Sequence, residues 1–147
     1  MVWAWVGGVI VVIAIAGGVA WHFYGGTHAP VPTGPVAVHA PTGQLIPGFP
    51  PSLILDPAAQ VNNSYSINYS TSTNQYTAEW VSSSTPAALY AKYQSYTAAN
   101  GWTVTNQANY PTLKGIYATS ASGTAAMNVI ITSQGKGSQV TISYVAQ

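Results

Sequence analysis

The chain has 147 residues and a formal net charge of +1, and only 3% of its residues are charged. A typical soluble domain carries about 25% charged residues, so the solubility of this chain must come from serine, threonine, asparagine, glutamine and glycine. Phosphate binding needs clustered lysine and arginine, and three scattered basic residues argue against nucleic acid as a partner. Cysteine is absent, which excludes thiol catalysis and thiolate metal sites.

An uncharged apolar run occupies residues 2–24, VWAWVGGVIVVIAIAGGVAWHFY. A helix of about 20 apolar residues crosses a hydrocarbon core of roughly 30 Å. Trp3, Trp5 and Trp21 lie at the two ends of the run, where interfacial aromatic residues are found in membrane spans. We predict a hydrophobic helix over residues 1–24 that meets the lipid bilayer. The remainder is then extracytoplasmic, at the cell membrane or cell surface.

Two other interpretations of this run stay open. Residues 14–16 offer the small-x-small cleavage pattern of a signal peptide, although no basic segment precedes the run. The run also contains small residues four positions apart, which let helix backbones approach closely. It can therefore pack with copies of itself, so that the partner is a homo-oligomer or filament instead of lipid or in addition to it. The residues predicted to pack in this way are Ala4, Gly8, Ala14, Gly18, Ala16 and Ala20.

Proline and glycine dominate residues 25–51. Gly25-Gly26 ends the first helix, and the repeated prolines prevent another from starting. We predict an extended, semi-rigid spacer that is partly polyproline II. His22, His28 and His39 lie in or near it, but their spacing fits neither a helical face nor a zinc motif. No metal site and no other cofactor is predicted.

From residue 52 to residue 147 the pattern changes to short apolar runs separated by polar turns. Residues 65–69 and 76–81 are rich in β-forming residues and predict a hairpin. Thr85-Pro86 is a typical helix start, and Asn100-Gly101 is a typical helix end. Between them Leu89, Tyr93 and Tyr96 share one helical face.

Four further strands are predicted at residues 102–106, 113–119, 126–132 and 139–145. The element order is therefore β-β-α-β-β-β-β. An antiparallel sheet packed with one helix, an α+β domain, is the simplest architecture with this order. We expect the helix to cover Trp80, Trp102 and the inward residues of the last strands.

The segment Leu89-Tyr90-x-Lys92-Tyr93, followed by Ala99-Asn100-Gly101-Trp102-x-Val104, resembles a pattern found in small extracytoplasmic domains of bacterial membrane-anchored proteins. The resemblance covers roughly residues 60–147 and implies a strand, a helix and further strands, but no transferable activity. The layout of a hydrophobic N-terminal helix and a β-rich domain also resembles a type IV pilin. The chain departs from that family because position 5 is tryptophan rather than glutamate, no leader is recognisable, and Gly25-Gly26 interrupts the stalk helix.

The residues offer little for catalysis. Asp56 and Glu79 are the only acidic residues, and no histidine follows His39, so neither a carboxylate pair nor a Ser–His–acid triad is expected. Asn62 and Asn68 fit the N-glycosylation acceptor pattern. We predict a non-enzymatic cell-surface structural protein that forms a filament or surface array. The alternative is a monomeric membrane-tethered module that binds a glycan, a peptide or an envelope component.

Overall fold

The computed structural model describes residues 34–70 and 72–146. The predicted N-terminal helix and its small-residue pairs lie outside these ranges. Within the described ranges, no helix has both the length and the hydropathy needed to cross a bilayer. Residues Gly34–Gln147 form one compact unit, which we call the domain.

The described part of the domain contains seven strands, one α-helix and one turn of 3-10 helix. All neighbouring strands are antiparallel, and their order across the sheet is β1-β2-β3-β7-β6-β5-β4. The α+β class and the predicted element order are confirmed, with one short strand added at the start. The elements are β1 (Ala37–His39), a 3-10 turn (Pro51–Leu53), β2 (Gln60–Asn68), β3 (Asn74–Ser82), α1 (Pro86–Ala99), β4 (Trp102–Asn109), β5 (Leu113–Ser120), β6 (Ala125–Gln134) and β7 (Gly137–Ala146).

The helix α1 begins and ends where its capping residues predict. The hydroxyl of Thr85 accepts a hydrogen bond from the backbone N–H of Ala88 at 3.3 Å, and Pro86 occupies the first turn, where its missing N–H costs nothing. At the other end the Asn100 side-chain amide donates to the carbonyl of Tyr96 at 2.9 Å. Gly101 then has φ +69°, a conformation that glycine adopts without strain.

The core lies between one face of the sheet and α1. Leu89 and Tyr93 of the predicted helical face are fully buried, Tyr90 joins them, and Tyr96 is half-buried. Trp80 is fully buried and Trp102 packs at the margin of the core, as expected. The sheet contributes alanine, methionine and branched side chains to this core: Ala78, Ile116, Ala118, Met127, Val129, Ile131, Val140 and Ile142.

The domain starts earlier than the sequence indicates. Residues 34–51 were expected to belong to a spacer, but β1 pairs with β2, and Ile46 and Phe49 are buried in the core. The backbone N–H of Ile46 donates to the hydroxyl of Ser64 at 3.0 Å. Proline and glycine prevent a helix here, but they do not prevent an extended chain from packing on a sheet. The compact unit accordingly begins at Gly34 rather than at residue 52.

In strand β2 the serine side chains face the covered side of the sheet, and the larger apolar side chains face the other side. Ser64 and Ser66 are paired with Ala78 and Tyr76, so they lie on the covered face, because cross-strand partners share a face. Tyr65 and Ile67 therefore lie on the other face. The irregular chain of residues 40–55, rather than an α-helix, covers β2. The Ser64 hydroxyl accepts the hydrogen bond from the backbone N–H of Ile46 and donates one to the carbonyl of Thr77 at 2.9 Å.

A buried tyrosine fastens the segment before β2 to α1. The hydroxyl of Tyr93 donates to the backbone carbonyl of Leu53 at 2.8 Å. Both residues are at most 1% exposed, so water cannot replace either partner. Burial raises the pKa of Tyr93 well above its ordinary value, which keeps the hydroxyl protonated and able to donate.

We expect Tyr93→Phe to lower the free energy of unfolding by about 1–3 kcal/mol, because the Leu53 carbonyl is left buried without its partner. Urea denaturation of the full chain followed by circular dichroism measures this loss. The matched control is Tyr96→Phe, since Tyr96 lies on the same helix, is half-buried, and donates no side-chain hydrogen bond within the described part of the chain. Equal stability of the two variants would contradict the role assigned to Tyr93.

Candidate interaction surfaces

One face of the seven-stranded sheet carries no helix of the residues that the structure describes. The core and α1 lie on one side, and within residues 34–70 and 72–146 no helix packs on the other side, which we call the open face. Cross-strand pairing defines its central rows. Their members are mostly small polar or aliphatic side chains: Gln75, Val145, Ala126 and Thr119; Thr77, Ser143, Asn128 and Tyr117; Glu79, Thr141, Ile130 and Gly115; Val81, Gln139, Thr132 and Leu113.

Glu79 is the one charged side chain on the open face among the strand residues that the structure describes. Its cross-strand neighbours are Asn63 and Thr141, which are neutral. Tyr117, Val81 and Leu113 are 43%, 39% and 38% exposed. The open face is therefore a broad surface of low charge on which these three apolar side chains are exposed, whereas Thr77 and Ile67 on the same face are only 1% and 8% exposed.

The two acidic residues lie in different surroundings. Glu79 lies on the open face, whereas the buried Asp56 accepts a hydrogen bond from Ser82, whose cross-strand partner Ser138 lies on the covered side. The Ser82 hydroxyl is the main cause of the lowered pKa of Asp56, and the Ala58 N–H, at 3.0 Å, lowers this pKa further. Desolvation by burial opposes both. With no histidine beside it, this pair fastens the chain before β2 to the end of β3.

The histidine and asparagine positions singled out from the sequence lie at the surface. His39, in β1, stacks against Tyr65 with ring centroids 5.2 Å apart and contacts the Asn63 side chain at 3.2 Å. In the part of the chain that the structure covers, no three potential metal ligands come together. His22 and His28 lie outside it.

Asn62 and Asn68, the predicted glycosylation positions, both have exposed side chains. Asn62 is the extra residue of a β-bulge between Val61 and Asn63, and Asn68 ends β2. The serine of the first triplet, Ser64, is buried and hydrogen-bonded. A carbohydrate chain on either asparagine would project into solvent.

A groove of about 290 Å³ separates the second half of α1 from the edge strand β4. Ala98, Val104 and the half-buried Trp102 supply its apolar surface, Thr97 lies at its base, and the exposed amides of Gln94 and Gln107 lie at its rim. The groove has no ionisable lining residue. Because β4 is the last strand on its side of the sheet, no further strand of the described domain closes the groove.

A β-bulge places Gln107 in this groove. Val104 pairs with Ala118, but Asn106 pairs with Tyr117 and Gln107 with Ile116, so the alternation of β4 shifts by one residue. Simple alternation from Trp102 would have put Asn106 rather than Gln107 on the α1 side. Gln107 could not be singled out from the sequence, because nothing in the polar triplet Thr105-Asn106-Gln107 marks the bulge. Bulges commonly redirect a side chain near a binding site.

The described part of the domain thus offers two candidate interaction surfaces, the open face and the groove. The resemblances to small extracytoplasmic domains and to pilins stay predictions. Comparison of the chain with protein families, with characterised proteins and with solved structures found no match.

Proposed function

We propose that this chain is a non-enzymatic structural protein of the cell surface. In this proposal the segment at residues 1–24 anchors the chain or packs with its copies, and the domain is displayed outside the cell. Neighbouring domains then lie against one another in a filament or surface array. The open face of the sheet is the observation that carries the proposal.

Low charge favours close packing of identical domains. The whole chain has five charged side chains, and Asp56 is buried among them. Like charges on identical surfaces repel and keep proteins monomeric, and this domain has almost none to separate its copies. The central rows of the open face carry hydroxyl, amide and small apolar groups, which can hydrogen-bond and pack without desolvating an ion.

The experiment is negative-stain microscopy of the full chain in the cell-surface fraction, comparing the unmodified protein with a variant that carries Asn128→Lys and Thr141→Lys. These two residues occupy adjacent rows of the open face on β6 and β7. We expect ordered filaments or arrays from the unmodified chain. We expect dispersed particles from the variant, because each copy then brings two like charges to the contact.

The matched control carries Ala91→Lys and Ser95→Lys, two exposed positions on α1 that lie away from the open face. This control adds the same charge and should assemble normally. Dispersed particles from the unmodified chain, or filaments and arrays from the Asn128→Lys and Thr141→Lys variant as ordered as those of the unmodified chain, would overturn the proposal.

The groove between α1 and β4 favours the second function considered from the sequence, a membrane-tethered binding module. Ligand pockets combine apolar lining with a few polar groups that fix orientation, and the groove has both. Dispersed monomers that retain a ligand would select this second function over assembly.

A further inference from the structure

We propose that the groove between α1 and β4 binds a neutral sugar. This inference goes beyond the structural role proposed above and does not depend on assembly. It rests on three properties of the groove: a half-exposed indole, a pair of oriented amides, and the absence of ionisable groups from its lining.

The amide of Gln107 is held in one orientation by its neighbours. The hydroxyl of Tyr90 donates to Gln107 Oε1 at 2.6 Å, and Gln94 Nε2 donates to the same oxygen at 3.3 Å. With this oxygen accepting both bonds, the NH₂ group of Gln107 is left without a partner among the described residues. The groove rim is therefore preorganised before any ligand binds.

This arrangement leaves one hydrogen-bond donor and one acceptor of the two amides free to bind a ligand. Within the described domain, Gln107 Nε2 and Gln94 Oε1 have no protein partner. One is a donor and the other is an acceptor, and they belong to two side chains that contact each other across the groove. Each hydroxyl of a pyranose can donate and accept, so a sugar at the groove rim can use both the free donor and the free acceptor.

The apolar lining matches the other side of such a ligand. A pyranose ring has a C–H face, and Trp102 is a large, flat and amphipathic side chain suited to cover it. Val104 and Ala98 extend this apolar surface. The absence of lysine, arginine, aspartate and glutamate from the lining gives a charged sugar no advantage over a neutral one.

The bulge in β4 supports a binding role for Gln107. Regular alternation would leave Asn106 on this face, whereas the register shift between Val104 and Asn106 presents Gln107 instead. The longer side chain reaches the Tyr90 hydroxyl and the Gln94 amide. The bulge therefore completes the amide pair of the groove.

The test titrates the full chain, in a detergent without a sugar headgroup, with the methyl glycosides of glucose, galactose, mannose and N-acetylglucosamine. Binding is followed by saturation-transfer NMR of the glycoside. A ligand as small as a methyl glycoside is expected to bind with a Kd on the order of 1 mM. We expect at least one glycoside to bind in this range and glucuronic acid to bind no more tightly.

Two substitutions assign the binding to the groove. Gln107→Leu should weaken it at least about tenfold, which corresponds to roughly 1.4 kcal/mol, and Gln94→Leu should weaken it as well. The matched control is Gln134→Leu, an exposed glutamine at the end of β6, which should leave binding unchanged. Gln94 is exposed on α1, so its variant keeps the test decisive if Gln107→Leu folds poorly.

Three outcomes would overturn the proposal. The first is that none of the four glycosides binds. The second is that both groove variants bind as well as the unmodified chain. The third is that glucuronic acid binds more tightly than every neutral glycoside. Each result is independent of whether the chain forms filaments, so failure of this proposal and failure of the structural role can be told apart.

Discussion

We expect Gly137→Ala to lower the free energy of unfolding by about 3 kcal/mol or more, an effect at the upper end for overpacking in a folded protein. A Cβ atom at this position would lie 2.1 Å from the carbonyl oxygen of Ser82 and 3.2 Å from the Cα of Ser83. Both are backbone atoms, so no side-chain rotation relieves the contact. The two strands would have to move apart.

The position of Gly137 makes this separation costly. It begins β7 directly beside the end of β3, and the β3–β7 pairing is the single junction between the two halves of the sheet. A displacement there also disturbs the buried Ser138, whose hydroxyl donates to the carbonyl of Ser84 at 2.7 Å.

The matched control for this substitution is Gly115→Ala, which also lies in a strand. A Cβ atom there would meet the Cβ of Ala108 at 3.4 Å, an ordinary contact. This variant should differ from the unmodified chain by about 0.5 kcal/mol or less, since the added methyl group also restricts the unfolded chain. Urea denaturation followed by circular dichroism measures both, and a Gly137→Ala protein of normal stability would contradict the close approach.

The second large effect is expected from Asp56. Removing its carboxylate in Asp56→Ala leaves the Ser82 hydroxyl and the Ala58 N–H without their acceptor. Hydrogen bonds to a charged group contribute about 1.5–3 kcal/mol each, and the desolvation of the buried carboxylate offsets part of the two contributions. We therefore expect a net loss of roughly 2–4 kcal/mol at neutral pH. The Ser82 hydroxyl oxygen also accepts a hydrogen bond from the backbone N–H of Ser84 at 3.0 Å. Removing the Asp56 carboxylate therefore also weakens the turn at residues 82–84.

The same carboxylate sets the acid sensitivity of the domain. The pKa of Asp56 in the folded chain lies below its ordinary value of 3.8. A lowered folded-state pKa gives stability that is present above the unfolded value and is lost as pH falls through the folded value. We therefore expect the free energy of unfolding to fall with pH below about 3.8, and Asp56→Asn to remove most of that dependence.

Glu79→Gln is the control for this acid titration. Glu79 is the only other acidic side chain, and it accepts no hydrogen bond from the residues that the structure describes. The acid-dependent loss should persist in this variant when urea denaturation is repeated at several pH values. A loss that disappears with Glu79→Gln and persists with Asp56→Asn would show that the wrong carboxylate has been assigned.

Local signals in the sequence predict most of the elements. Thr85-Pro86 and Asn100-Gly101 set the ends of α1 because capping depends on neighbouring residues alone. Alternating apolar residues locate six strands, although they underestimate strand length. The strand ends, such as residues 60–64 of β2 and 107–109 of β4, are polar, and only pairing with a neighbouring strand orders them.

The remaining features depend on contacts between distant residues. Ile46 and Phe49 join the core because β2 presents small serine side chains beneath them, which a Pro/Gly-rich composition does not reveal. The bulges at Asn62 and Thr105 change which side chains share a face, so Gln107 could not be assigned to the groove. The hydrogen bond between Asp56 and Ser82 joins residues 26 positions apart and has no local signature.

The sheet order also constrains the order in which the strands of one chain can pair during folding. The last strand in the sequence, β7, lies between β3 and β6 rather than at an edge. A chain that emerges from its N-terminus first can form the β2–β3 hairpin early, but one side of β3 stays unpaired until residues 137–146 arrive. Closing this pairing joins residues as far apart as Asn74 and Ala146, and such long-range closure is slow. The partly emerged chain therefore carries an open strand edge beside Trp80, and that edge is open to pairing with other chains until folding is complete.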